Sequence, residues 1–359
     1  MQAEERRSSS QGAPIRVAVV GATGYTGAEL LRLLLGHREV RVTAVCGHSK
    51  AGRPVSEVLP SLSGLLDAEF AAFDADAIAE VAELAFCALP HGASAPTVAA
   101  LRERGLRVFD LSADFRLRDP AVYAEWYGEH GAPGLFGEAV YGLVELYREA
   151  LVGASLVAVP GCYPTATLLA AAPLLREGLI ETDRILVDAK SGVSGAGRKA
   201  GGATHLPEAA EGIRAYKVGG AHRHTAEIEQ EMGALAGSAV RICFTPHLVP
   251  MTRGILATVY APLRAGTSVS RCVEAARALY RGSPSVAVLE AGRCPDTLWV
   301  RGSNRAHISY VIDERAGMVI AQGAIDNLLK GAAGQAIQCM NVALGLPEAE
   351  GIGGAGAWP

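Results

Sequence analysis

The apolar positions in the first half of the chain fall into short continuous runs separated by glycines and by stretches of helical spacing. Residues 15–20 (IRVAVV) are almost wholly apolar and stop at Gly21, which predicts a buried parallel strand. Over 26–35 the spacing turns helical, with Leu30, Leu31 and Leu34 on one face. Further apolar runs at 40–46, 84–89 and 107–112 predict strands, and 93–104 predicts a helix. This alternation of strand and helix, with short connections, is the signature of a doubly wound parallel sheet.

The pattern changes after about residue 160. Longer β-rich runs occupy 183–190, 240–250, 254–263, 306–314 and 317–324, with a helix at 269–280, which predicts a mixed or antiparallel α+β domain. A long helix over 326–343 is expected to close the fold, with Gly345 and Pro347 ending it and a loose tail (GIGGAGAWP) beyond. The polar opening segment, 1–14, reads as a disordered lead-in.

Composition narrows the class. Half of the residues are hydrophobic and 19% are charged, which excludes a disordered chain. The net charge of −4 argues against a nucleic-acid partner, and no apolar stretch is long enough to span a membrane. The seven cysteines are scattered, without C-x-x-C pairs or metal-ligand spacing, so reduced thiols in the cytoplasm and no metal site are expected. Six of the seven are expected to be buried and inert. Cys162 is the exception.

Four stretches carry chemistry. In VAVVGATGYTGAEL, Gly21, Gly24 and Gly27 lie between the first strand and the first helix, the context of a dinucleotide fingerprint. The second strand runs into CGHSKAGR without the carboxylate that holds an NAD ribose, and Ser49, Lys50 and Arg53 favour a 2′-phosphate, hence NADP. In VAVPGCYPTATLL, Cys162 sits between a strand and a helix, with Pro164 in the first turn. There the helix dipole should depress the thiol pKa, and Gly161 should let the chain turn and leave room for a carbonyl. In AHRHTAEIEQ, His222 and His224 flank Arg223 before a helix starting near Thr225, with Glu227 placed to orient a ring or cap that helix. Two further loops read as site loops: 188–202, rich in glycine and cations, and 109–120, with Ser112, Asp114 and Arg116 at a strand's carboxyl end.

Together the motifs GATGYTG (21–27), LPHG (89–92), DLSADFR (110–116), PGCYPT (160–165), SGVSGAGR (191–198), HRHTAEIEQ (222–230) and DNLLKGAAGQAIQ (326–338) resemble the N-acetyl-gamma-glutamyl-phosphate reductase family, within the semialdehyde dehydrogenases. The resemblance implies an NADP-binding domain over 15–160 with 325–345 added, and a catalytic and dimerisation domain over 161–324. It implies Cys162 as nucleophile, His222 as acid/base partner, and Arg116, His205 and Gly161 at the substrate. Gly21, Thr23, Gly24, Tyr25, Thr26, Gly27, Ser49, Lys50, Pro90, Ser191, Gly192 and Asn327 would bind the cofactor. Ser49-Lys50 stands where the family often has Ser-Arg. The implied reaction is the NADPH-dependent reduction of an acyl phosphate in arginine biosynthesis, with release of phosphate, by a cytoplasmic homodimer or homotetramer. Related acyl phosphates (N-acetyl-aminoadipyl or aspartyl phosphate), a dinucleotide-sensing regulator and a Cys–His hydrolase stay open as alternatives.

Overall fold

The computed structural model describes residues 13–199 and 201–357. The lead-in expected over 1–14 therefore lies almost wholly outside the described residues.

Six parallel strands build the first sheet: β1 (Ile15–Val20), β2 (Val40–Cys46), β3 (Leu84–Cys87), β4 (Arg107–Asp110), β5 (Val140–Tyr141) and β6 (Leu156–Ala158). Their spatial order is β2-β1-β3-β4-β6-β5. The chain leaves β1 in one direction and then crosses back to β3 on the other side, so the order reverses between β1 and β3. Doubly wound sheets bind ligands in the crevice at that point. Gly21 and the residues after Cys87 face each other there. Continuous apolar sequence is the physical reason for the central strands: β1 residues Val17–Val20 and all of β3 are buried, with helices on both faces.

The second sheet has seven strands and mixed direction. They are β7 (Ile185–Gly192), β8 (Arg214–Ala215), β9 (Ile242–Val249), β10 (Ile255–Pro262), β11 (Val286–Val288), β12 (Ala306–Asp313) and β13 (Met318–Ile325), in the order β11-β12-β13-β10-β7-β9-β8. Only β7–β9 and β11–β12 pair in parallel. The helix Cys162–Arg176 lies on this sheet and is buried on every side from Tyr163 to Leu175, as its all-round apolar composition requires. The approach is close: a Cβ on Gly323 in β13 would stand 2.4 Å from the Ala166 carbonyl oxygen.

Three expectations are corrected. The closing helix covers Ala333–Ala343 and not 326–343. Asp326 accepts hydrogen bonds from the Leu328, Leu329 and Gly302 amides, which holds 326–332 as a tight turn. The tail is not loose as far as Ala357. Glu350 pairs with Arg38 at 2.7 Å, Ile352 is buried, and Gly356 packs so tightly that a Cβ would stand 2.2 Å from the Arg301 carbonyl oxygen. Cys243 and Cys294 are exposed, because β9 alternates and turns Cys243 outward, while Cys294 lies in a loop.

Candidate active site

Cys162 is the first residue of its helix, two elements converging on it: β6 ends at Ala158, and Gly161 serves as the N-cap without a side-chain cap. Glu227 fixes this hinge. One carboxylate oxygen accepts from the Gly161 amide at 2.8 Å and from the Tyr141 hydroxyl at 2.8 Å. The other faces Arg116 Nη1 at 3.3 Å. Glu227 thus holds neither histidine ring and does not cap its own helix, which begins at His224. Arg116 donates further to the Val159 and Leu111 carbonyls, both at 2.8 Å, and is almost fully buried.

Glycine is needed at 161 for a different reason from the one the sequence suggests. Its φ of −66° suits any residue. A Cβ there would meet His224 Nε2 at 2.6 Å and Arg116 Nη1 at 3.0 Å. The space beside the hinge belongs to those two side chains.

His222 packs its ring edge-on against Tyr163, Tyr216 and Phe244, with centroids 5.3–5.6 Å away. Its Nδ1 accepts the His224 amide at 3.1 Å, which leaves the proton of the neutral ring on Nε2. Burial, then the charges of Lys217 and Arg223, push His222 down to about 4. His224 is also held neutral by burial, and its buried Nδ1 has no partner among the described residues. Desolvation pushes the Cys162 thiol up to about 11, with Arg116 and the Tyr163 amide opposing it. The expected depression of that pKa is therefore corrected. At this hinge burial outweighs the helix terminus.

Cys162, His222, Gly161 and Arg116 share one cavity of about 860 Å³ with the glycine turn. Of the turn, Gly24, Tyr25, Thr26 and Gly27 line it. Gly21 does not. At φ 82° it lies against the Ala88 carbonyl, 2.4 Å from where its Cβ would be, so it shapes the turn. Thr23 is also outside the lining. The helix that follows has no side-chain cap and no carboxylate in its first turn, so its N-terminus suits a pyrophosphate. Pro90, Ser191 and Asn327 line the cavity as well. Asn327 accepts from the Gly254 amide at 2.8 Å and donates to Ser194 at 3.0 Å.

Besides Gly21 and Thr23, four expected residues fall outside this cavity. Gly192 is outside the lining; a Cβ there would stand 2.8 Å from the Thr252 carbonyl and the Arg253 nitrogen. Ser49 and Lys50 form a short turn just after β2, beyond the cavity wall. His205 lines a separate cavity of about 620 Å³ that adjoins the first through Tyr25, Ser194 and Arg198. Sequence reading also missed the reach of Arg198, which donates to the Thr23 and Val58 carbonyls and ties the second domain to the glycine turn. A cation in the 188–202 loop was visible in the sequence; its target was not.

Residues 16–154 match the family model of the semialdehyde dehydrogenase NAD-binding domain, and residues 162–327 that of the semialdehyde dehydrogenase dimerisation domain. The fold is similar to that of aspartate semialdehyde dehydrogenase II from Vibrio cholerae, with a TM-score of 0.67 at 17% identity, covering 92% of this chain and 98% of that one. It is similar too to an aspartate semialdehyde dehydrogenase from Candida albicans solved with NADP, with a TM-score of 0.66 at 16% identity, covering 92% and 98%. Two domains meeting at a glycine turn and a hinge cysteine define a semialdehyde dehydrogenase. The N-acetyl-gamma-glutamyl-phosphate reductase of Heliobacterium modesticaldum is 52% identical over 96% of this chain and 100% of its own. That of Geobacter sulfurreducens is 50% identical over 95% and 98%. The chain belongs to the N-acetyl-gamma-glutamyl-phosphate reductase family.

Proposed function

We propose that the protein reduces N-acetyl-gamma-glutamyl phosphate to N-acetyl-glutamate 5-semialdehyde with NADPH, releasing phosphate, as a step of arginine biosynthesis. The observation that carries this is the meeting of Cys162, Arg116 and His222 in one cavity with an uncapped glycine-rich helix N-terminus.

Cys162 Sγ attacks the acyl carbonyl as thiolate, forming the C–S bond, and the C–O bond to phosphate breaks with its electron pair on the leaving phosphate. A carboxylate accepts no hydride at neutral pH, so the thioester is the reason a thiol is required. NADPH, when bound along the glycine turn, supplies the hydride for reduction at that carbon. His222 serves from Nε2, whose proton faces the acyl oxygen as charge builds there and is available when the C–S bond breaks. Arg116 supplies positive charge beside the thiol; a substrate that displaces water from the cavity strengthens it. The Tyr163 and Cys162 amides at the helix start complete the polar surroundings of Sγ, on a hinge that Glu227 fixes through the Gly161 amide.

A homodimer or homotetramer fits the dimerisation-domain match and the exposed Leu186 on the second sheet. A cytoplasmic location fits seven free cysteines. Among the described residues no helix is long and apolar enough to cross a membrane.

The test is the reverse reaction. The protein, NADP, inorganic phosphate and N-acetyl-glutamate semialdehyde should generate NADPH absorbance. N-acetyl-aminoadipate and aspartate semialdehydes should be at least ten-fold poorer. Equal rates on all three aldehydes would reject the substrate, and no rate on any would reject the activity.

A further inference from the structure

Lys217 has a backbone and a side chain that the proposed chemistry does not use. Its φ of 47° is the only positive value at a non-glycine residue among the described residues. A residue with a Cβ adopts that conformation at a cost, and it persists where the surroundings fix it, most often at functional sites. Gly219 and Gly220, at φ 67° and 80°, keep the segment tightly wound up to His222. Lys217 lines the cavity, is exposed, and makes no hydrogen bond or ion pair with a described residue.

The other cations of this cavity are committed. Arg116 donates to two carbonyls and faces Glu227. Arg198 donates to the Thr23 and Val58 carbonyls, Arg223 lies over the Tyr127 ring at 5.1 Å, and Arg214 is engaged as well. The charges also sit at different places. Arg116 stands beside Gly161, its Nη1 3.0 Å from where a Cβ would lie, whereas Lys217 is carried by the positive-φ turn that leads into His222. The cavity thus has one pole at Arg116, beside the nucleophile and paired with Glu227, and a second at Lys217, which has no hydrogen bond or ion pair with a described residue.

An N-acetyl-gamma-glutamyl phosphate carries two anionic groups with the same separation of roles. The phosphoryl group is bonded to the reacting carbon; the α-carboxylate is at the far end of the side chain. We propose that Lys217 binds the α-carboxylate and selects for it, leaving the phosphoryl end to the Arg116 pole. This rests on the function proposed above, and it adds the group by which the substrate is distinguished from an acyl phosphate lacking that carboxylate.

The experiment compares N-acetyl-glutamate semialdehyde with 4-acetamidobutanal, the same aldehyde with hydrogen in place of the carboxylate, in the phosphate-dependent reduction of NADP. Lys217→Met should lower kcat/KM roughly 10–100-fold on the first aldehyde, the worth of a charge-assisted contact. On 4-acetamidobutanal it should stay within about three-fold, and KM for phosphate should not move. Lys217→Arg should restore most of the loss. Equal losses on both aldehydes, or a rise confined to the phosphate KM, would overturn the proposal.

Calorimetric binding of N-acetylglutamate and of 4-acetamidobutanoate to the full chain gives a readout independent of turnover. Wild type should prefer N-acetylglutamate, and Lys217→Met should lose that preference. Preference in an enzyme without turnover would sink the proposed reaction and keep the carboxylate site. An unchanged preference in Lys217→Met would sink the carboxylate site alone.

Discussion

Glu227 holds the amide of Gly161 at 2.8 Å with one oxygen while its other oxygen meets Arg116 at 3.3 Å. A single buried carboxylate therefore sets the backbone that carries the thiol and pairs with the cation beside it. Glu227→Gln keeps the shape and an acceptor for Gly161 but leaves Arg116 without its countercharge. Removing one partner of a buried pair costs roughly 3–5 kcal/mol. Denaturant unfolding of the variant should show a loss of that order, with turnover down at least ten-fold. An unchanged unfolding midpoint would mean that Arg116 is solvated or paired elsewhere.

The Cys162 thiol, pushed up to about 11 by burial, should be a slow target for iodoacetamide in the ligand-free protein at pH 7.5. Cys243 and Cys294, both exposed, should label first, and Cys46, Cys87, Cys272 and Cys339 last. Cys162 labelling should climb with pH without levelling off below pH 9. Mass spectrometry of the native protein over a pH series reads this order. Faster labelling of Cys162 than of Cys243 at pH 7 would show that the helix terminus and Arg116 outweigh burial after all. Cys162→Ser should keep the fold and NADPH binding and lose nearly all turnover, since an alkoxide is far harder to form than a thiolate.

Asp110, at the end of β4, accepts from Ser94 and Ser112, both at 2.5 Å, yet full burial raises its carboxyl to about 6. The unfolded carboxyl titrates near 3.9. Between those values the folded state binds more protons, so this group's contribution to stability is complete below about pH 4 and is lost as pH rises through 6. His222 works in the opposite sense. Its folded value near 4 lies below the unfolded 6.5, so its contribution is complete above pH 6.5 and is lost as pH falls through 4. Asp110→Asn should therefore raise the melting temperature relative to wild type at pH 7.5, and the difference should vanish by pH 4. A constant difference across that range would show that Asp110 is ionised throughout.

Lys50 lies in the turn after β2, where no carboxylate follows the strand, while the nearby Arg53 already pairs with Glu57 at 3.2 Å. Lys50→Ala should weaken NADPH binding about ten-fold and leave NADH binding unchanged, as expected for one charge-assisted phosphate contact. Arg53→Ala should alter neither. Fluorescence titration with both nucleotides measures this. Equal affinity of the wild type for the two nucleotides would remove the basis for assigning the turn to the 2′-phosphate.

The sequence by itself determined the local elements and the positions of the reactive groups. The apolar runs 15–20 and 40–46 became β1 and β2 at those limits, because each run is bounded by its own local sequence, although only β1 is buried along most of its length and β2 is the sheet's edge. The glycine turn and the placement of Cys162 at a helix start were equally legible, since chain neighbours dictate both. Tertiary structure decided what those groups do. Glu227 reaches Gly161 across 66 residues and Arg116 across 111, and no local pattern records such a contact. The turn at 326–332 interrupts a helical pattern because Asp326 captures the amides of Leu328 and Leu329, and Gly331 presses on Cys162, 2.8 Å from where its Cβ would lie. The charge state of the cysteine was decided last of all. The helix terminus that favours the thiolate is written in neighbouring residues, whereas the desolvation that opposes it comes from every element packed around the site.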